Sequence, residues 1–254
     1  MDEEPHRGPV SRDLPDSVPQ RLLTLAGCST SVVVGIDVGG PKKGFHAVAL
    51  SGTKLLVKFR SADPATIAHW CREQDADVIA IDTPCRWRKP GGPARAAERK
   101  LAEIRISCFS TPTEEQASGH PFYTWMLAGQ ELYAALASLY PLYDGGLRKG
   151  RVAIETFPQA VACALAGSIV SAKKKVPIRR ELLSRTGLQS ADFRNIDEVD
   201  AALCALSAES FLRGDFMRFG DPAGGFIIVP ERESIRRGRS NRLAERTRSA
   251  ASPN

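Results

Sequence analysis

Three short apolar segments of the sequence each end in a carboxylate. They are residues 32–37, 78–82 and 152–155, and their last residues are Asp37, Asp82 and Glu155. Runs of β-branched residues without polar alternation are typical of strands buried on both faces of a parallel sheet. Sites in open α/β sheets form at the carboxyl ends of such strands. The three acids are therefore expected to meet at one edge of a sheet.

The other segments place these strands in an α/β fold. Residues 45–50 and 54–59 are predicted as the second and third strands, and the short turns before each of them predict three consecutive antiparallel strands. Asp63 is predicted as an N-cap, with Pro64 at the first position of the helix that follows. The strand after this helix is expected to be parallel to one already in the sheet, because strands connected through a helix usually are. Further helices are predicted at 93–104, 124–140, 158–166, 176–186 and 197–212, and a last edge strand at 225–229. The first two of these helices form an insertion between strands four and five.

The ends of the sequence differ from its middle. Residues 1–30 begin with a charged stretch containing four prolines, and residues 231–254 hold seven Arg against three Glu. Such compositions predict disordered tails around one domain at 31–230. The net charge of +6 favours nucleic acid as a partner. The C-terminal tail supplies most of this charge. The basic tail either contacts nucleic acid or serves to keep the chain in solution, and the two explanations are equally good.

Cysteine and histidine spacing argues against zinc. The six cysteines and four histidines are scattered, without a CxxC pair or an HxxxH motif. Scattered cysteines in apolar segments are typical of a reduced, cytoplasmic protein. The sequence shows no signal-peptide pattern and no apolar run long enough for a membrane span.

The acids at the strand ends have two interpretations. Each alone is commonly a turn former or a helix N-cap. Three together favour a shared site, because crowded carboxylates repel one another unless a cation compensates them. Asp197 and Asp200 share one face of a late helix; Asp200 is the preferred fourth ligand, and Asp197 caps the helix or adds a ligand. An oxygen-rich set without histidine suits Mg²⁺ or Mn²⁺.

Four basic residues are candidates for substrate binding. Lys42 and Lys43 lie in a glycine-rich turn, where Phe45-His46 follows in place of the Lys-Ser/Thr of a P-loop. They either steer phosphate or are solvated turn residues. Arg95 and Arg99 flank Glu98, and either contact phosphate or form a charge network on a helix surface.

Six segments together resemble a known family. They are residues 35–37, 81–84, 98–99, 109–112, 154–158 and 197–201. In this order they resemble domain-of-unknown-function family 429, described as predicted nucleases of the RNase H-like fold. The resemblance implies that fold, and it implies that Asp37, Asp82, Glu155 and Asp200 are metal ligands. Glu155 departs from RNase H itself, which takes its glutamate from the first helix.

The functional hypothesis that follows is hydrolysis of phosphodiester bonds by a two-metal nuclease. Two ions about 4 Å apart activate water and stabilise the leaving oxygen; Asp37 is expected to bridge them. One alternative is a non-catalytic nucleic-acid-binding module of the same fold. Another is a phosphotransferase, because Gly35 to Gly40 resembles the first phosphate motif of sugar kinases and actin-like ATPases. Substrate type and oligomeric state stay open.

Overall fold

The computed structural model describes residues 31–231. The strands are β1 Val33–Val38, β2 Phe45–Ser51, β3 Lys54–Ser61, β4 Val78–Asp82, β5 Val152–Glu155, β6 Phe216–Asp221 and β7 Gly225–Pro230. The helices are α1 Pro64–Glu73, α2 Ala96–Glu103, α3 Glu114–Ala117, α4 Thr124–Leu136, α5 Pro158–Ala166, α6 Lys175–Arg185 and α7 Ile196–Arg213. The two predicted tails lie outside the described residues, apart from Glu231.

The strands form one seven-stranded sheet in the order β3-β2-β1-β4-β5-β7-β6. The first three strands are antiparallel neighbours, and β4 and β5 continue the sheet in parallel with β1. The predicted mixed sheet, with antiparallel strands followed by parallel ones, is confirmed, and α2, α3 and α4 are inserted between β4 and β5. None of the helices within residues 31–231 combines the length and the apolar character needed to traverse a bilayer.

Local signals place several boundaries correctly. Asp63 caps α1 by accepting hydrogen bonds from the backbone of Ala65 and Thr66, and Pro64 follows in the first turn.

The last strand differs from the prediction: β7 lies inside the sheet, between β5 and β6. The strand at that edge of the sheet is β6, which the sequence analysis does not predict because its residues are mostly half-exposed and lack an apolar run.

The pleat of the sheet separates two sets of side chains. In β1, Val33 contributes to the core under α5, α6 and α7, whereas Val34 and Ile36 contribute to the core under α1 and α4. Alternate residues of a strand point to opposite faces. Asp37 therefore shares the α7 face with Val33 and Gly35.

Helix α7 lies directly on β1 because residue 35 has no side chain. A Cβ atom at Gly35 would lie 2.1 Å from both the Ala201 carbonyl oxygen and the Ala205 amide nitrogen. Both are backbone atoms of α7, so no side-chain rotation relieves the clash. This close approach brings Asp200, one residue before Ala201, over the end of β1.

We expect Gly35→Ala to lower the free energy of unfolding by about 1–3 kcal/mol or more, as overpacking of a core does. Gly40→Ala is the matched control, because a Cβ there meets nothing within 4 Å. Urea denaturation of both variants provides the measurement. A Gly35→Ala protein as stable as the Gly40→Ala protein would contradict this packing.

Candidate functional site

Asp37 and Asp82 are neighbours at the carboxyl ends of β1 and β4. They are paired in the parallel register, so their side chains point to the same face of the sheet. Asp37 is 8% exposed, and Asp82 is partly exposed. Within residues 31–231, neither carboxylate accepts a hydrogen bond or forms an ion pair. Two adjacent carboxylates thus lie at the carboxyl ends of central strands without a hydrogen-bond or ion-pair partner among the described residues.

The surroundings of these acids favour their protonated forms. Burial, together with the negative charges of Asp200 and Asp197, raises the pKa of Asp37 from 3.8 to about 8. Burial and the charges of Asp37 and Asp200 likewise raise the pKa of Asp82 well above its usual value. Asp37 therefore raises the pKa of Asp82, and the charge of Asp200 raises the pKa of both, as expected where like charges share one site.

Asp200 reaches the same site from α7 but is already paired. Its Oδ1 accepts a hydrogen bond from Arg179 Nη1, and its Oδ2 lies 3.4 Å from Lys175 Nζ. Arg179 is buried on α6 and also donates to Gln159 Oε1 at 3.0 Å, while its Nε has no partner within residues 31–231. These two cations are functional candidates that the sequence analysis missed. The basic run of residues 173–180 is the signal that points to them.

Asp197 lies at the rim of the site, one turn before Asp200. Lys43 Nζ approaches Asp197 Oδ1 at 2.8 Å, and His46 Nε2 lies 3.9 Å from Asp197 Oδ2. Burial lowers the pKa of His46, which favours the neutral imidazole. Lys43 therefore lies at the site, where a residue that binds the substrate has to be. Lys42 is exposed in the same turn.

Glu155 does not join this group. It is paired with Ile81 rather than with Asp82, and the pleat consequently turns it to the other face of the sheet. Its two oxygens accept hydrogen bonds from Arg95 Nη2 at 2.6 Å and Arg95 Nη1 at 2.8 Å, and from the Cys85 amide. The role of Glu155 as a metal ligand stays a prediction. In the structure its carboxylate is bound by Arg95 and the Cys85 amide.

The two arginines proposed for phosphate binding lie in different environments. Arg95 is 4% exposed, and its guanidinium is shared among Glu98, Glu155 and the Gly224 carbonyl. With these partners it holds the loop before α2 to β5. Arg99 is exposed on α2 and donates to the Ala94 carbonyl. The structure thus brings Lys43 to the carboxylates, while Arg95 is paired within the interior.

The carboxylates suit a divalent cation chemically, but they are not gathered around one point. Oxygen-only ligand sets are those preferred by Mg²⁺ and Mn²⁺. Within residues 31–231, no group of three or more His, Cys, Asp or Glu side chains is arranged to hold an ion. Asp200 faces Arg179 and Lys175 instead. Coordination by all three aspartates requires Asp200 to exchange these cations for the ion.

The raised pKa of Asp37 makes a prediction about the metal-free protein. Its folded-state pKa is about 8 against 3.8 for the free group, so the folded state holds this proton more tightly. The resulting stability is fully present below pH 3.8 and is lost as the pH rises to about 8, by at most about 1.4 kcal/mol per pH unit. In EDTA, the melting temperature of Asp37→Asn should therefore exceed that of the wild type by an amount that grows between pH 5 and pH 8 and then levels off.

Asp75→Asn is the matched control for this titration, because Asp75 is exposed and lies in the turn before β4, at the opposite edge of the sheet. Its difference from the wild type should not grow with pH. A pH-independent effect of Asp37→Asn would show that the Asp37 carboxyl titrates normally.

Comparison with known proteins yields one family and one solved structure. The model of a family described as "Protein of unknown function (DUF429)" matches residues 35–224. No curated protein matches the chain. Among solved structures, T. thermophilus RuvC in complex with Holliday junction substrate is 17% identical, with a TM-score of 0.39. That alignment covers 72% of this chain and 96% of the RuvC chain.

Proposed function

Because the chain belongs to the DUF429 family, whose description names no activity, we propose its function from the site: a metal-dependent nuclease that hydrolyses phosphodiester bonds. The observation that carries the proposal is the pair Asp37 and Asp82. Within the described part of the chain both lack a hydrogen-bond or ion-pair partner, both have raised pKa values, and both face α7 at the carboxyl ends of adjacent parallel strands. A stabilising cation is the simplest compensation for such a pair.

Asp37 and Asp82 would hold the ion, and Asp200 would join them once Arg179 releases it. When bound, a divalent cation supplies Lewis acidity toward a phosphoryl oxygen and toward water. The remaining contributions come from the chain itself. Lys43 and Lys175 carry positive charge at the rim, where contacts to phosphates position a nucleic acid without reading its sequence. Neutral His46, next to Asp197, is able to accept a proton at the same rim.

A non-catalytic nucleic-acid-binding module is the second candidate, and one observation favours it. Asp200 is already neutralised by Arg179 and Lys175, so the site is partly compensated without a metal. The phosphotransferase alternative has less support. It needs two such domains around a nucleotide, and all seven strands of residues 31–231 belong to one sheet.

A cleavage panel separates the two candidates. Wild-type protein is incubated with single-stranded and duplex DNA, RNA, an RNA–DNA hybrid and a four-way junction, in Mn²⁺, in Mg²⁺ and in EDTA. The nuclease proposal expects at least one substrate to be cut with metal and none in EDTA. The binding module predicts no cleavage and no metal affinity, with nucleic-acid binding that weakens steeply as salt rises.

A further inference from the structure

A cleft opens beside Asp82, on the side away from Asp37. It lies at the carboxyl ends of β4 and β5, between α2 and α4, and Asp82, Thr83, Phe109, Trp125 and Phe157 are among the residues that line it. Four of the six segments that carry the family resemblance contribute to this lining. The proposed cleavage chemistry uses only Asp82 among these residues, so the cleft has no function assigned so far.

The cleft contains a buried hydroxyl group without a partner. Thr83 is 2% exposed, and its Oγ1 has no hydrogen-bond partner among the described residues. Helix α4 packs closely on this side chain at Gly129, where a Cβ atom would lie 2.4 Å from Thr83 Cγ2 and 2.5 Å from Thr83 Oγ1. The threonine is thereby held in place. A buried polar group of this kind is stabilised by a ligand that supplies the missing hydrogen bond.

Aromatic side chains surround the mouth of the cleft. Phe109 is 69% exposed and meets Phe122, itself 50% exposed, edge to face at a centroid distance of 5.7 Å. Trp125 follows Phe122 by three residues, near the start of α4, and lines the cleft. Exposed aromatic rings next to a site of phosphate chemistry are typical stacking partners for unpaired bases.

The charge of the lining favours a neutral ligand. Glu98 and Glu155 contribute two carboxylates, and Asp82 adds a third carboxyl group, against the single guanidinium of Arg95. This excess of carboxylates repels phosphate, whereas a nucleobase is uncharged, planar and able to hydrogen-bond at its edge. A nucleic acid with a phosphate at Asp37 and Asp82 would then direct an adjacent base, rather than a second phosphate, into the cleft.

We propose that this cleft binds one unstacked nucleobase next to the scissile phosphate, with Phe109 and Trp125 as stacking surfaces and Thr83 as the hydrogen-bonding group. The proposal rests on the proposed nuclease function and deepens it. The protein then acts on single-stranded or locally opened strands, because a fully paired base does not reach the cleft.

Binding without cleavage tests the cleft directly. A labelled single-stranded oligonucleotide and the same oligonucleotide with abasic residues at its centre are titrated in EDTA and followed by fluorescence anisotropy. Stacking of one base is worth about 5- to 150-fold in affinity, so the wild type should prefer the intact strand by about that factor. Phe109→Ala and Thr83→Val should each reduce this preference.

Leu147→Ala is the matched control, since Leu147 is 92% exposed and does not line the cleft; it should retain the preference. Equal affinity for both strands, or an undiminished preference in both cleft variants, would overturn the cleft proposal. If the cleft proposal failed in this way but the wild type cleaved nucleic acid in Mn²⁺, the nuclease proposal would be supported without the cleft. A preference lost in the cleft variants, without cleavage in any metal, would support the cleft and overturn the nuclease.

Discussion

Replacing Asp82 by Asn is expected to reduce metal-dependent cleavage by at least about 100-fold, because ligands of a catalytic ion contribute several kcal/mol to transition-state stabilisation. Asparagine keeps the shape of the side chain but removes its charge. The fold should persist, since Asp82 has no hydrogen-bond partner to lose among the residues that the structure describes, and its pKa is raised by burial and by Asp37. Circular dichroism and cleavage rates in Mn²⁺ are the two measurements.

Asp75→Asn serves as the control for this substitution. It is the same chemical change at an exposed position on the opposite edge of the sheet, and its cleavage rate should match the wild type. A folded Asp82→Asn protein that cleaves at the wild-type rate would remove Asp82 from the proposed mechanism.

The second large effect is expected from Arg95→Met. Arg95 is buried and donates to Glu98 at 2.8 Å and to Glu155 at 2.6 Å. Without it, two buried carboxylates lose their counter-charge, which destabilises a protein by about 3–5 kcal/mol. Since whole domains are stable by only about 5–15 kcal/mol, the variant should be close to unfolding. Urea denaturation at 25 °C provides the measurement.

Arg99→Met is the matched control, one helical turn further along the chain and exposed; its effect should be small. If Arg95→Met proves insoluble, Glu155→Gln tests the same ion pair with a milder change and should still lower stability. Equal stability of Arg95→Met and Arg99→Met would show that the buried ion pair contributes nothing.

Much of the fold follows from local sequence signals. The runs that become β4 and β5 have the predicted boundaries, and Asp63-Pro64 begins α1 as predicted, because capping and apolar clustering are properties of neighbouring residues. Strand β6 escapes the prediction, since Phe216 to Asp221 mixes polar and apolar residues at the edge of the sheet. Strand β6 forms a hairpin with β7, and the order of polar and apolar residues in β6 does not indicate this pairing.

The candidate site depends on register, which the sequence does not show. Asp37, Asp82 and Glu155 all end apolar strands, and on that pattern they are equivalent. In the sheet, Asp37 pairs with Asp82 whereas Glu155 pairs with Ile81, and a shift of one residue reverses the face to which a side chain points. Arg179 was missed for a similar reason, because its contact with Asp200 joins two helices.

Calorimetric titration with Mn²⁺ at pH 8 measures whether Asp37 and Asp82 hold a divalent cation, using wild type, Asp75→Asn and the double variant Asp37→Asn/Asp82→Asn. We expect saturable binding to the wild type and to Asp75→Asn, accompanied by proton release because the pKa of Asp37 is raised to about 8. The double variant should not bind. Absence of saturable binding to the wild type, or equal binding to the double variant, would show that these two carboxylates do not hold the ion.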